Sequence, residues 1–144
     1  MSKFLTELNV RLREDGDHVF TLNTPLIYES DLLGCIVKVP HEYVSDISEL
    51  AATVQNFETD LASVPRLPFV YDLWGDRAHR EAIIHDYLFR KDSKPVVSFM
   101  TANRVFLEAM KCRGKSWYIR YPMFWGACIG AYPAYHKRRV TDAL

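Results

Sequence analysis

Two adjoining segments of the chain repeat their apolar residues at a spacing that only a helix brings onto one face. Ala78, Ala82, His85 and Phe89 fall at steps of four, three and four, and so do Phe99, Asn103, Phe106 and Met110. Residues spaced in this way line one side of an α-helix. The pattern predicts helices over roughly 77–90 and 97–113, the first capped by Asp76 and the second stopped by Gly114. The break between them, Lys91-Asp92-Ser93-Lys94-Pro95, is short. Short connections make neighbouring helices antiparallel and set stripe against stripe. Each stripe carries one polar member, so His85 and Asn103 are expected to meet inside the pair.

Upstream the period changes from helical to alternating. Leu8, Val10 and Leu12 alternate with Asn9, Arg11 and Arg13, the pattern of a half-buried strand. Asp15-Gly16 is a strong hairpin dipeptide, Val19–Leu22 makes the returning strand, and Thr24-Pro25 ends it. Leu26-Ile27-Tyr28 and Cys35–Val39 read as further strands, separated by Glu29-Ser30-Asp31 and Gly34. The stretch 41–56 reads as an insertion: Ser45–Val54 suits one or two helical turns capped by Ser45 or Asp46, or a surface excursion between strands. Nothing in it points to chemistry. From Trp117 the chain is aromatic, but the uncharged run Tyr121–Tyr135 falls short of the roughly 20 residues of a membrane span. It also holds Pro122 and Pro133, which favours a packed terminal helix. The expectation is one α+β domain over 1–144: an N-terminal antiparallel β-meander followed by two or three helices packed on one face.

Charge and cysteine usage exclude several function classes. Eighteen basic residues balance eighteen acidic ones, so no global charge draws the chain to nucleic acid or an acidic membrane. The three cysteines, Cys35, Cys112 and Cys128, are far apart and form no C-x-x-C pair. That disfavours a zinc knuckle or disulfide framework and fits a reducing cytosol. The N-terminus lacks the apolar run of a signal peptide. Arg113-Gly114-Lys115-Ser116 lacks the first glycine of a phosphate-binding loop and follows a helix instead of a strand. Ser63 lacks the G-x-S-x-G elbow of a serine hydrolase, and the basic His136-Lys137-Arg138-Arg139 reads as a solvated end.

One stretch looks built for a site. Thr59, Asp60 and Ser63 place two hydroxyls and a carboxylate within five residues, and Val64-Pro65 then forces an extended or turn conformation. The segment suits a strand end that delivers polar groups into a pocket; Asp60 and Ser63 equally suit the capping of a turn. Taken with His85 and Asp86, it supplies the parts of a catalytic or metal site. A histidine can act as general base, while Asp60 and Asp86 are hard oxygen ligands for calcium or magnesium. Helical neighbours point about 100° apart, so His85 and Asp86 would serve two sides of a pocket, with Asn103 orienting the imidazole. Thr59, Ser63 and Arg66 would bind or orient substrate, and the cofactor would be a divalent cation (calcium, magnesium or zinc). In the competing reading His85 is a hydrogen-bonded core residue and Asp86 pairs with Arg90 at i+4.

The residues Ile36-Val37-Lys38-Val39-Pro40, then Phe57–Arg66, then His85-Asp86-Tyr87-Leu88-Phe89 and Asn103–Met110 resemble domain of unknown function family 1353. The resemblance covers about three-quarters of the chain and implies a gene product of a tailed bacteriophage or prophage. The chain departs from the family pattern by the insertion at 41–56, by Asn103 where the family has aspartate, and by Phe89 where it has tyrosine. More loosely, His85-Asp86-x-x-Phe89 is similar to the H-D-x-x-Y helix motif of small phospholipases A2, where the histidine activates water and the aspartate binds calcium. Two functions follow as expectations. The first is a phage protein with a hydrolase-like, metal-assisted pocket. The second is a non-enzymatic virion or assembly component, or a host-factor-binding protein, in the host cytoplasm or the virion. Its motif residues would be a structural network and its aromatic C-terminal region a contact surface for phage or host proteins.

Overall fold

The structure, a computed structural model, describes residues 1–12, 19–46, 79–130, 132, 135, 136 and 140. Its strands are β1 (Lys3–Phe4), β2 (Val10–Leu12), β3 (Val19–Leu22), β4 (Leu26–Ser30), β5 (Cys35–Val39) and β6 (Val44–Asp46). Its helices are α1 (His79–Phe89), α2 (Phe99–Cys112) and α3 (Trp117–Gly130). Antiparallel sheets come first and helices follow, so the fold is α+β.

The strands form two sheets where the alternation pattern predicts a single meander. One has the order β1-β4-β5 and the other β2-β3-β6. The chain changes sheet at Asn23-Thr24-Pro25, where proline has no N–H to continue a ladder. Thr6 bridges that corner: its hydroxyl donates to the Pro25 carbonyl (3.2 Å) and accepts from Ile27 N–H (3.0 Å). Strand β4 runs two residues past Tyr28 to Ser30, and Leu26, Tyr28 and Ser30 turn one face inward. Opposite them in register stand Val39, Val37 and Cys35, of which the two valines are buried.

The stretch 41–56 is no bystander at its start. Ser45 and Asp46 are strand residues opposite Phe20 and Val19, and the helical turns expected after them lie outside the described residues. The expected turn at Asp15-Gly16 and the cap at Asp76 lie outside the described residues.

The helical stripes pack as their spacing predicts. Helix α2 begins at Ser98, whose hydroxyl accepts from Thr101 N–H (3.1 Å). It ends with Gly114 at φ +76°, Gly114 N–H bonded to Lys111 O and Lys115 N–H to Met110 O, each 3.0 Å. That 6→1 and 5→2 pair is a Schellman ending, which favours glycine at the left-handed position. Ile83, Ile84 and Leu88 of α1 and Val105, Phe106 and Met110 of α2 are fully buried in one core with Tyr28, Val37 and Val39. Helix α1 lies against β5 and β6, α2 against β4, and α3 against α2. Glu108 fastens α2 to the first sheet: Oε1 accepts from Tyr28 Oη and Ser30 Oγ (both 2.7 Å) and Oε2 from Leu32 N–H (2.8 Å). No helix among the described residues is long and apolar enough to cross a membrane.

Candidate functional site

Helix α1 sends its two motif residues in different directions, as their adjacency requires. His85 points into the seam with α2, where its Nε2 lies 2.7 Å from Asn103 Oδ1. The carbonyl oxygen accepts, so Nε2 carries the proton and Nδ1 the lone pair. The ring lies between Phe89 (centroids 4.1 Å apart) and Phe106 (4.8 Å). Burial pushes its pKa down to about 4, while the bond to Asn103 pulls the other way. The imidazole is therefore neutral at pH 7 and a weak base.

Asn103 is as buried as its partner. Among the described residues its Nδ2 has no hydrogen-bond partner, and the amide lies near the Cys128 thiol on α3. Burial raises the pKa of that thiol and the amide opposes the rise. The polar seam thus runs from α1 through α2 toward α3.

Asp86 turns toward the second sheet. Its Oδ2 accepts from Tyr43 Oη (2.5 Å) and from Arg90 Nη2 (3.2 Å), and Arg90 Nε donates to Tyr43 Oη (3.0 Å). Arg90 Nη2 also reaches the Val44 carbonyl (3.3 Å). The three side chains close a triangle that joins α1 to the residue preceding β6. Burial, and then the neighbouring Asp86 charge, hold the Tyr43 phenol well above its usual pKa. Burial works against the Arg90 charge, but Asp86 and Tyr43 more than offset it and its pKa is raised. The Asp86–Arg90 pair at i+4 is therefore present, in a setting where Arg90 is only 3% exposed.

Glu81 lies one turn before His85 and is fully buried. Among the described residues neither carboxylate oxygen has a hydrogen-bond partner, and Arg113 Nε lies 3.7 Å from Oε1. Burial raises its pKa, against the pull of Lys115, Arg113 and Arg80. Buried acids with displaced pKa values are over-represented at functional sites.

The structure thus joins His85 to Asn103 and sets Asp86 apart, in contact with Tyr43 and Arg90. Thr59, Asp60, Ser63 and Arg66 lie outside the described residues. No three His, Cys, Asp or Glu side chains among the described residues are grouped to hold a metal ion. A cation at Asp86 would compete with the Arg90 guanidinium for the same oxygen. Two members of the arrangement escape a reading by motif. Tyr43 sits in the stretch taken for an insertion, and Glu81 carries no signal except its four-residue offset from His85.

A family model described as a protein of unknown function (DUF1353) matches residues 36–127. The chain belongs to the DUF1353 family. Its matched span begins in β5, ends in α3, and includes both halves of the Tyr43–Asp86–Arg90 triangle. No curated protein and no solved structure matches this DUF1353 chain.

Proposed function

We propose that this DUF1353 protein is a bacteriophage gene product that acts by binding a partner, as a virion or assembly component or a host-factor-binding protein, and not by catalysis. The Tyr43–Asp86–Arg90 triangle carries this reading. Asp86, one of the two motif carboxylates expected to hold a cation, is engaged by a buried guanidinium and a phenol, and these contacts fasten helix to sheet. His85 fits the same picture, because a neutral imidazole between two phenyl rings is equipped to specify packing more than to move protons. The phage origin rests on the family resemblance, and with it a place in the host cytoplasm or the virion.

The experiment is thermal melting of wild type, His85→Ala and Asp86→Asn with EDTA and with added calcium, magnesium or zinc. The binding reading expects large losses of stability in both variants and no cation-dependent rise in wild type. A rise that disappears in Asp86→Asn would overturn it.

One observation favours a second reading, a metal-assisted hydrolase built on Asp60, His85 and Asp86. Glu81 places a buried carboxyl, without a hydrogen-bond partner among the described residues, one turn from His85, a costly arrangement that a catalytic role would explain. Under that reading Asp60→Ala and His85→Ala abolish an ester- or amide-cleaving activity and leave the fold intact.

A further inference from the structure

Helices α2 and α3 border an open groove of about 630 Å³. Leu107 and Phe124 lie in it, and Trp125 and Tyr121 stand exposed along it, 53% and 43% accessible. Aromatic side chains grouped beside a groove are the residue types that anchor protein interfaces. Charge then says what kind of contact.

Arg104, Lys111 and Arg120 border the groove. Arg104 and Lys111 form no ion pair among the described residues. Arg120 Nη1 donates to the Lys115 carbonyl (3.0 Å) and its guanidinium lies over the Tyr121 ring (5.5 Å), contacts that leave its charge uncompensated. Among the described residues lining the groove the single acidic one is Glu108. Its oxygens are turned to the neutral donors of Tyr28, Ser30 and Leu32, and three cations face this one carboxylate. A chain that is neutral overall therefore presents a locally positive, aromatic groove.

The spacing of the cations sets the shape of the occupant. Arg104 and Lys111 are seven residues apart on α2, two turns or about 10 Å along its axis, with Leu107 between them. A helix laid in the groove would answer with acidic residues seven apart and apolar residues at the intervening third and fourth positions. We infer that the α2–α3 groove docks an acidic amphipathic helix of a partner protein, its carboxylates on Arg104 and Lys111 and its apolar face on Leu107 and Trp125. The inference rests on the reading of the protein as a binding module and names the surface and the partner chemistry.

The test is a selection of yeast-displayed segments of about 18 residues, long enough to hold a helix, against the full chain. The winning peptides are then made synthetically and titrated by tryptophan fluorescence. The expected winners carry Asp or Glu at i and i+7 with apolar residues between. Trp125→Ala and the pair Arg104→Glu/Lys111→Glu each weaken binding by about tenfold or more, while both proteins melt as wild type does. A peptide with Lys in place of its two acids regains affinity for the charge-reversed pair. Winners without acidic residues, or winners that bind both variants undiminished, overturn the groove and leave a binding role elsewhere on the surface intact. The absence of any winner overturns the groove and the binding reading together. Binding of phosphatidylglycerol vesicles in place of the peptides, lost in the same variants, overturns the protein partner.

Discussion

Buried ionisable side chains set the energetics of the motif helix, and each has its own pH signature. His85 has a folded pKa of about 4 against an ordinary 6.5, so the unfolded chain binds its proton first as pH falls. Its contribution is fully present above pH 6.5 and is lost as pH drops toward 4, a total of about 3 kcal/mol. Urea midpoints of wild type and His85→Gln across that window should converge toward the acid end. Glu81 runs the opposite way. Its pKa is raised, so its burial costs nothing extra in acid and costs more as pH rises past the ordinary carboxyl range. Glu81→Gln should therefore stabilise the protein by about 1 kcal/mol at pH 8, with the gain fading toward pH 4. Asp86→Asn removes the charge facing a 3%-exposed guanidinium and should cost about 2–4 kcal/mol, a fall in Tm of roughly 5–10 °C. Tyr43→Phe, which strips the hydroxyl from both partners, should cost about 1–3 kcal/mol.

At the level of elements, what could be read from the sequence was whatever is local. The stripes of α1 and α2, the glycine stop at Gly114 and the meeting of His85 with Asn103 all follow from spacings within a few turns. Sheet membership did not follow, because any alternating segment can pair with any other. The switch at Pro25 and the pairing of Lys3–Phe4 with β4 depend on partners distant in sequence. The triangle was half visible: Asp86 and Arg90 are four apart, but Tyr43 is 43 residues from Asp86. Glu108 is the extreme case, 80 residues from Tyr28, and on its helix it looks like any solvated acid. Its role gives an element-scale expectation. Glu108→Ala leaves Tyr28 Oη, Ser30 Oγ and Leu32 N–H without their acceptor and should cost about 2–4 kcal/mol in denaturant unfolding. Exposed Lys111, one turn further on, should change stability by less than about 0.5 kcal/mol when replaced by alanine.

For the whole molecule, the triangle has a topological effect. It fastens Tyr43 to Asp86 and Arg90 of α1, so the chain between Tyr43 and Asp86 is a circuit closed at its base. Closing a longer circuit is cheap, since each doubling of length costs only about 0.6 kcal/mol of chain entropy. The chain entropy of bringing α1 to the second sheet therefore depends only weakly on how many residues separate Tyr43 from Asp86. The clasp thus turns two points 43 residues apart in sequence into neighbours, and this contact ties α1 to the second sheet whatever the length of chain between them.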